Sequence, residues 1–187
     1  MEVRFSFAAM LALCFAAASA RRVGIGLLFA AAHEAGHLAA LFAFGMQPRR
    51  VCLHAAGICI ERPPGLRLSY NREFAAALAG PAVSAALAVL FFFLRRRGLG
   101  GDFIESAVWM NAGFAFFNLL PVRQLDGGRA LYAVLCVRLP EAAARRFVRI
   151  SSVGTLCAAA VLAAVQLWRG AGTPSLLLAV VYLAVCA

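Results

Sequence analysis

Charge is what this sequence has least of: 14% of its 187 residues are Asp, Glu, Lys or Arg, against roughly 25% in a soluble domain. Hydrophobic residues make up 64% and the mean hydropathy is +0.86. A soluble chain of this length has too little interior to hide so much apolar surface. That excludes an ordinary soluble globule, and a bilayer supplies the missing apolar solvent. A spanning helix takes about 20 mostly apolar residues. The chain therefore suits about six spans with short loops, in a single all-α polytopic domain over residues 1–187. The six cysteines (Cys14, Cys52, Cys59, Cys136, Cys157 and Cys186) include no C-x-x-C pair, and four sit in apolar runs where cysteine acts as a small hydrophobe. Their spacing gives no sign of a disulfide framework.

The net charge of +10 is carried by arginines clustered between apolar stretches, at Arg21-Arg22, Arg95 to Arg97, and Arg145-Arg146 with Arg149. Loops beside a membrane are charged in this way. A nucleic-acid surface instead interleaves basic and aromatic residues on a polar scaffold. No nucleic-acid partner is expected.

Residues 3–20 are apolar and end in Ala18-Ser19-Ala20 before two arginines. A cleaved signal peptide would look similar, but Glu2 and Arg4 make a barely basic start, which favours an uncleaved first helix. A second apolar run covers 23–46, as in a tight helical hairpin with the first. Between 47 and 73, Pro48, Pro63, Pro64 and charged residues flank two β-prone pieces, Val51 to His54 and Gly57 to Glu61. They read as a short β-hairpin at the membrane surface between spans two and three. Further spans are expected at 74–94, about 103–120, 147–168 and 174–187, with Pro121 and Gly127-Gly128 interrupting before a short apolar piece at 130–139. Six spans place both termini on one side, which then holds ten arginines against six on the other. The positive-inside rule favours cytoplasmic termini, in a bacterial-type cell membrane.

Chemistry concentrates in the second span, at His33-Glu34-Ala35-Gly36-His37. Positions i and i+4 share a helix face, so both imidazoles can converge on one ion. Glu34 is placed to reach a water without ligating the metal, the arrangement of H-E-x-x-H zinc metalloproteases. A carboxylate and two imidazoles near mid-bilayer are costly unless paired or ligated. The competing reading is a hydrogen-bonded polar knot between helices. Catalytic zinc sites usually have three protein ligands, and of the eight acidic residues most lie in loops or near helix ends. Asp126 is the exception, after the proline-broken run Asn118-Leu-Leu-Pro-Val-Arg-Gln-Leu-Asp126-Gly-Gly-Arg129. Non-helical backbone at membrane depth is tolerated where it lines a cavity. Asp126 is a candidate third ligand, or else a cap for a helix beginning near Arg129. His54 reads as an interfacial side chain, because a fourth protein ligand would close the site to water.

HEAGH on one apolar helix and NLLPVRQLDGG on a later one resemble the site-2 protease family of intramembrane metalloproteases, with Leu78-Ala-Gly-Pro-Ala82 as a third family-like stretch. The resemblance covers about residues 23–140 and is similar in its wording to the compact branch typified by stage IV sporulation protein FB. It implies one zinc ion per chain held by His33, His37 and Asp126, with Glu34 as catalytic base. It also implies Asn118 as a substrate-orienting or oxyanion-side group, with Pro121 shaping the break. The implied substrate is a membrane-associated protein such as a sigma-factor precursor or an anti-sigma factor, and an inhibitory membrane protein is an implied partner. No PDZ domain interrupts the motifs, and no nucleotide-sensing domain follows the last span. A helical substrate must unwind before cleavage, and residues 57–61 are one place where it could add as a strand; a plain connecting hairpin is the alternative. The rival classes are a membrane metal transporter, since intramembrane His, Asp and Glu also mark ion paths, and an inactive protease-like scaffold.

Overall fold

The computed structural model describes residues 2–3, 19–46, 50–54, 57–61 and 68–169. In chain order these form strand β1 (Glu2–Val3), helix α1 (Ala20–Ala43), strands β2 (Arg50–His54) and β3 (Gly57–Glu61), and helices α2 (Tyr70–Arg96), α3 (Asp102–Asn118), α4 (Asp126–Cys136) and α5 (Glu141–Trp168). The strands make one small sheet in the order β1-β2-β3, with β1 parallel and β3 antiparallel to β2. Its register sets Arg50 opposite Glu61 and Cys52 opposite Cys59. Everything else among the described residues is helix or connection.

Three of these helices, α1, α2 and α5, are long and apolar enough to cross a membrane by length and composition. The expectation of about six spans is therefore not reached among the described residues. α3 has 17 residues and α4 has 11, both shorter than the about 20 that span a hydrocarbon core upright. The runs at 3–20 and 174–187 fall almost wholly outside the described residues. Arg21 and Arg22 do not form a linker, as the sequence suggested. They lie in the first turn of α1, which begins at Ala20.

The chain divides into two compact units, Met1–Phe117 and Asn118–Ala187. In the first, α1 packs against α2, and Ile25, Phe29, His33, His37 and Leu41 are all buried. Spaced four apart, they form one continuous ridge along α1. One apolar cluster holds Ile25, Phe29 and Ala107 with Phe91 and Phe114 packed on it. A second holds Leu41, Met46 and Ala76. The two histidines occupy the stretch of ridge between the clusters, so apolar packing on either side fixes the helix that carries them.

In the second unit, α5 braces the connection from α3 to α4. Ser151 Oγ donates to the Pro121 carbonyl at 3.1 Å, and the Arg123 backbone N–H donates to Ser152 Oγ at 2.9 Å. Gly127 and Gly128 are required by close approach. A Cβ at Gly127 would overlap the Leu119 carbonyl, and one at Gly128 would overlap the Val122 carbonyl. Outward-facing positions are strongly apolar, with Phe93, Phe116, Ile150, Val161 and Trp168 all more than 60% exposed, while the buried set includes His33, His37, Ser84, Asn111, Asp126 and Ser152. Soluble proteins place these classes the other way round. The pattern suits a lipid solvent, with small residues such as Ala76, Ala107, Ala130 and Ala144 filling the helix contacts.

Candidate metal centre

The site in the first unit is built from one turn of α1 and the facing stretch of α2. His33 and His37 are 5% and 6% exposed, which places both rings away from solvent. His37 Nδ1 lies 2.7 Å from the Ala76 carbonyl oxygen. A carbonyl only accepts, so Nδ1 carries the proton and the Nε2 of a neutral His37 ring presents a bare lone pair. His33 Nδ1 lies 2.9 Å from the hydroxyl of Ser84, which is completely buried. The two Nε2 atoms face each other at 3.3 Å. Two ring nitrogens at this distance either share a hydrogen bond, with one Nε2–H donating to the other lone pair, or face a common cation.

Gly80 lets the α2 backbone come close to both rings. A Cβ built on it would overlap His37 Nε2 and stand 2.7 Å from His33 Nε2. Both nitrogens thus aim at the one place on α2 where no side chain exists. Pro81, inside α2, contributes no N–H to the ladder at this turn. The donor set fits a borderline-soft divalent ion such as zinc, which takes imidazole nitrogen at about 2.0–2.1 Å. Glu34 sits next to His33 on α1, half-buried and one step off the ridge.

In the second unit, Asp126 is the first residue of α4, and Leu125 holds the N-cap position. The helix starts three residues earlier than the cap reading of Asp126 required. The carboxylate is buried, 8% exposed, with Oδ1 3.6 Å from Arg129 Nη1. A negative charge in the first turn of a helix is favoured by the helix dipole. Asn118 ends α3 and is half-buried. His54 closes β2, and its side chain lies outside the described set.

Sequence reasoning missed Ser84 and the Ala76 carbonyl, which orient the two histidines. No local signal links them, since Ser84 lies 51 residues from His33 and Ala76 lies 39 from His37. A partner of the free ring nitrogen fixes tautomer and ring angle, and its loss typically costs 10–100-fold in metal affinity. Ser84→Ala should weaken zinc binding by about that factor in a chelator competition titration, with the thermal stability of the zinc-free protein nearly unchanged.

Residues 96–162 match the family model described as Peptidase family M50. Over 121 residues the chain is 31% identical to stage IV sporulation protein FB of Bacillus subtilis, covering 64% of this chain and 42% of that protein. Over 118 residues it is 34% identical to a Synechocystis protein, sll0528, named as a candidate zinc metalloprotease, covering 58% of this chain and 30% of that one. The chain thus spans less than half the length of these curated relatives. The fold is similar to the site-2 protease from Methanocaldococcus jannaschii, with a TM-score of 0.73 at 16% identity over 97% of this chain and 85% of that one. The family-model match covers the NLLPVRQLDGG stretch, so the likeness to the M50, or site-2 protease, family is shown in sequence there, and the solved structure adds a likeness of fold.

Proposed function

We propose that this protein is an intramembrane zinc endopeptidase of the site-2 protease type, in which His33, His37 and Asp126 hold one zinc ion. The observation that carries the reading is the pair of imidazole Nε2 atoms turned toward the bare Gly80 face within a buried ridge. Catalytic zinc sites usually take three protein ligands, and Asp126 is the acidic residue we assign as the third. Bound there, zinc supplies Lewis-acid activation of water and of the scissile carbonyl. Glu34 takes the proton of the attacking water and passes it to the leaving nitrogen. Asn118 orients the substrate through its side-chain amide. Ser84 and the Ala76 carbonyl hold the rings in register.

The substrate class we favour is a membrane-associated regulatory protein, of the sigma-factor precursor or anti-sigma type. The sporulation setting rests on the name of one relative. For presentation of the substrate we favour β3. Among the described residues it pairs with β2 only, at the edge of the sheet, and an extended peptide can add to such an edge through backbone hydrogen bonds. Proline placed at those alternate positions of 57–61 whose N–H faces the open edge should abolish cleavage with zinc content intact. Normal cleavage by every such variant would sink the edge-strand role.

The direct test of function is co-expression with membrane-tethered candidate substrates. Processing should appear with the wild type, stop when a membrane-permeant chelator is added, and return with zinc. Processing that persists after zinc has been stripped from the purified protein would overturn the assignment.

A further inference from the structure

The end of the first unit remote from His37 carries chemistry that the protease reading does not use. The start of α1, the end of α2 and the start of α3 come together there through two ion pairs, Arg21 Nη1 to Asp102 Oδ2 at 3.6 Å and Arg95 Nη1 to Glu105 Oε1 at 3.9 Å. A cavity of about 570 Å³ opens among them, with Arg21 and Arg22 on one side, Asp102, Glu105 and Ser106 on the other, and Ile25 as an apolar contact. Arg21 and Arg22 line the cavity, and Arg95, Arg96 and Arg97 close the end of α2, whose Arg95 reaches Glu105. Both carboxylates are matched by Arg21 and Arg95, which leaves Arg22 and Arg97 without an acidic partner among the described residues, while the Arg96 guanidinium lies over the Phe92 ring at 5.7 Å. Beside them Phe92, Phe93 and Leu99 are 45%, 61% and 55% exposed, and Phe103 is 38% exposed.

The geometry points to a binding site for an anionic phospholipid headgroup that carries free hydroxyls, of the phosphatidylglycerol class. It rests on membrane embedding and is independent of the zinc chemistry. Unmatched guanidinium groups take a phosphate in charge-assisted hydrogen bonds. Asp102, Glu105 and Ser106 accept from the glycerol hydroxyls, which a bare phosphate lacks. The exposed phenylalanines provide the apolar face that acyl chains cover. That combination selects a lipid over a soluble phosphate. A choline headgroup fits badly, because its quaternary ammonium donates no hydrogen bond to the carboxylates and adds positive charge to an arginine excess.

The test is thermal unfolding of the full-length protein in neutral detergent micelles doped with phosphatidylglycerol, with phosphatidylcholine, or with soluble glycerol phosphate and inorganic phosphate. Saturating phosphatidylglycerol should raise Tm by about 5 °C, with little change from the other three. The Arg22→Gln, Arg97→Gln double variant should lose most of that rise, while Arg145→Gln, Arg149→Gln, which removes the same charge elsewhere, should keep it. Native mass spectrometry of wild type and both variants gives a second readout, with retained phosphatidylglycerol lost only in the first pair. An equal rise with phosphatidylcholine, a full rise with soluble glycerol phosphate, or equal loss in both double variants overturns the proposal.

Discussion

Glu34→Gln should reduce cleavage by at least about 10³-fold, the scale of a positioned general base, while the protein keeps its zinc. Glu34 is the neighbour of His33 on α1 but stands off the buried ridge of Ile25, Phe29, His33, His37 and Leu41. In the proposed mechanism it acts beside the metal rather than on it. An amide of the same shape preserves packing and polarity but accepts no proton, so the loss should fall on kcat. The same variant separates the rival classes. A transporter would still move metal and a scaffold would still bind its partner, because neither needs a carboxylate that accepts a proton. Metal content and cleavage are to be measured on one preparation. Loss of zinc together with cleavage would make Glu34 a ligand, and undiminished cleavage would remove it from the mechanism.

Gly80→Ala should abolish zinc binding without touching a ligand. The added methyl would overlap His37 Nε2 and stand 2.7 Å from His33 Nε2, occupying the space toward which both nitrogens point. The rings cannot both swing aside cheaply, since their far nitrogens are tied to the Ala76 carbonyl and the Ser84 hydroxyl. Gly113→Ala is the matched control, because a Cβ there meets nothing within 4 Å, and an alanine in a helix is favoured over glycine by about 1 kcal/mol. Zinc by mass spectrometry should be at background in the first variant and at wild-type level in the second, with both unfolding cooperatively. Wild-type zinc in Gly80→Ala would mean that the nitrogens do not bind metal on this face.

Much of the site in the first unit was legible because its signals are local. A four-residue spacing puts two histidines on one helix face whatever the tertiary structure, and an apolar run around them announces a buried helix. Gly127-Gly128 after Pro121 likewise marked the break between α3 and α4, where the backbone carbonyls of Leu119 and Val122 leave no room for a side chain. What the sequence could not show depends on which helices meet. Ser84 reads as an ordinary small residue until α2 is laid against α1. Leu78-Ala-Gly-Pro-Ala82 carried no chemical meaning until Gly80 was found facing both imidazoles. The span count came out short among the described residues for a different reason. Hydropathy measures how apolar a run is, whereas α3 and α4 are apolar helices of 17 and 11 residues that stop at capping and turn positions.

Zinc-edge X-ray absorption of the purified protein tests the central claim most directly. The account predicts one zinc per chain, a light-atom shell at about 2.0–2.1 Å, and the outer-shell scattering of two imidazoles, reduced to one in His37→Ala. A preparation that holds no zinc after reconstitution, or a sulfur shell at about 2.3 Å, would contradict it.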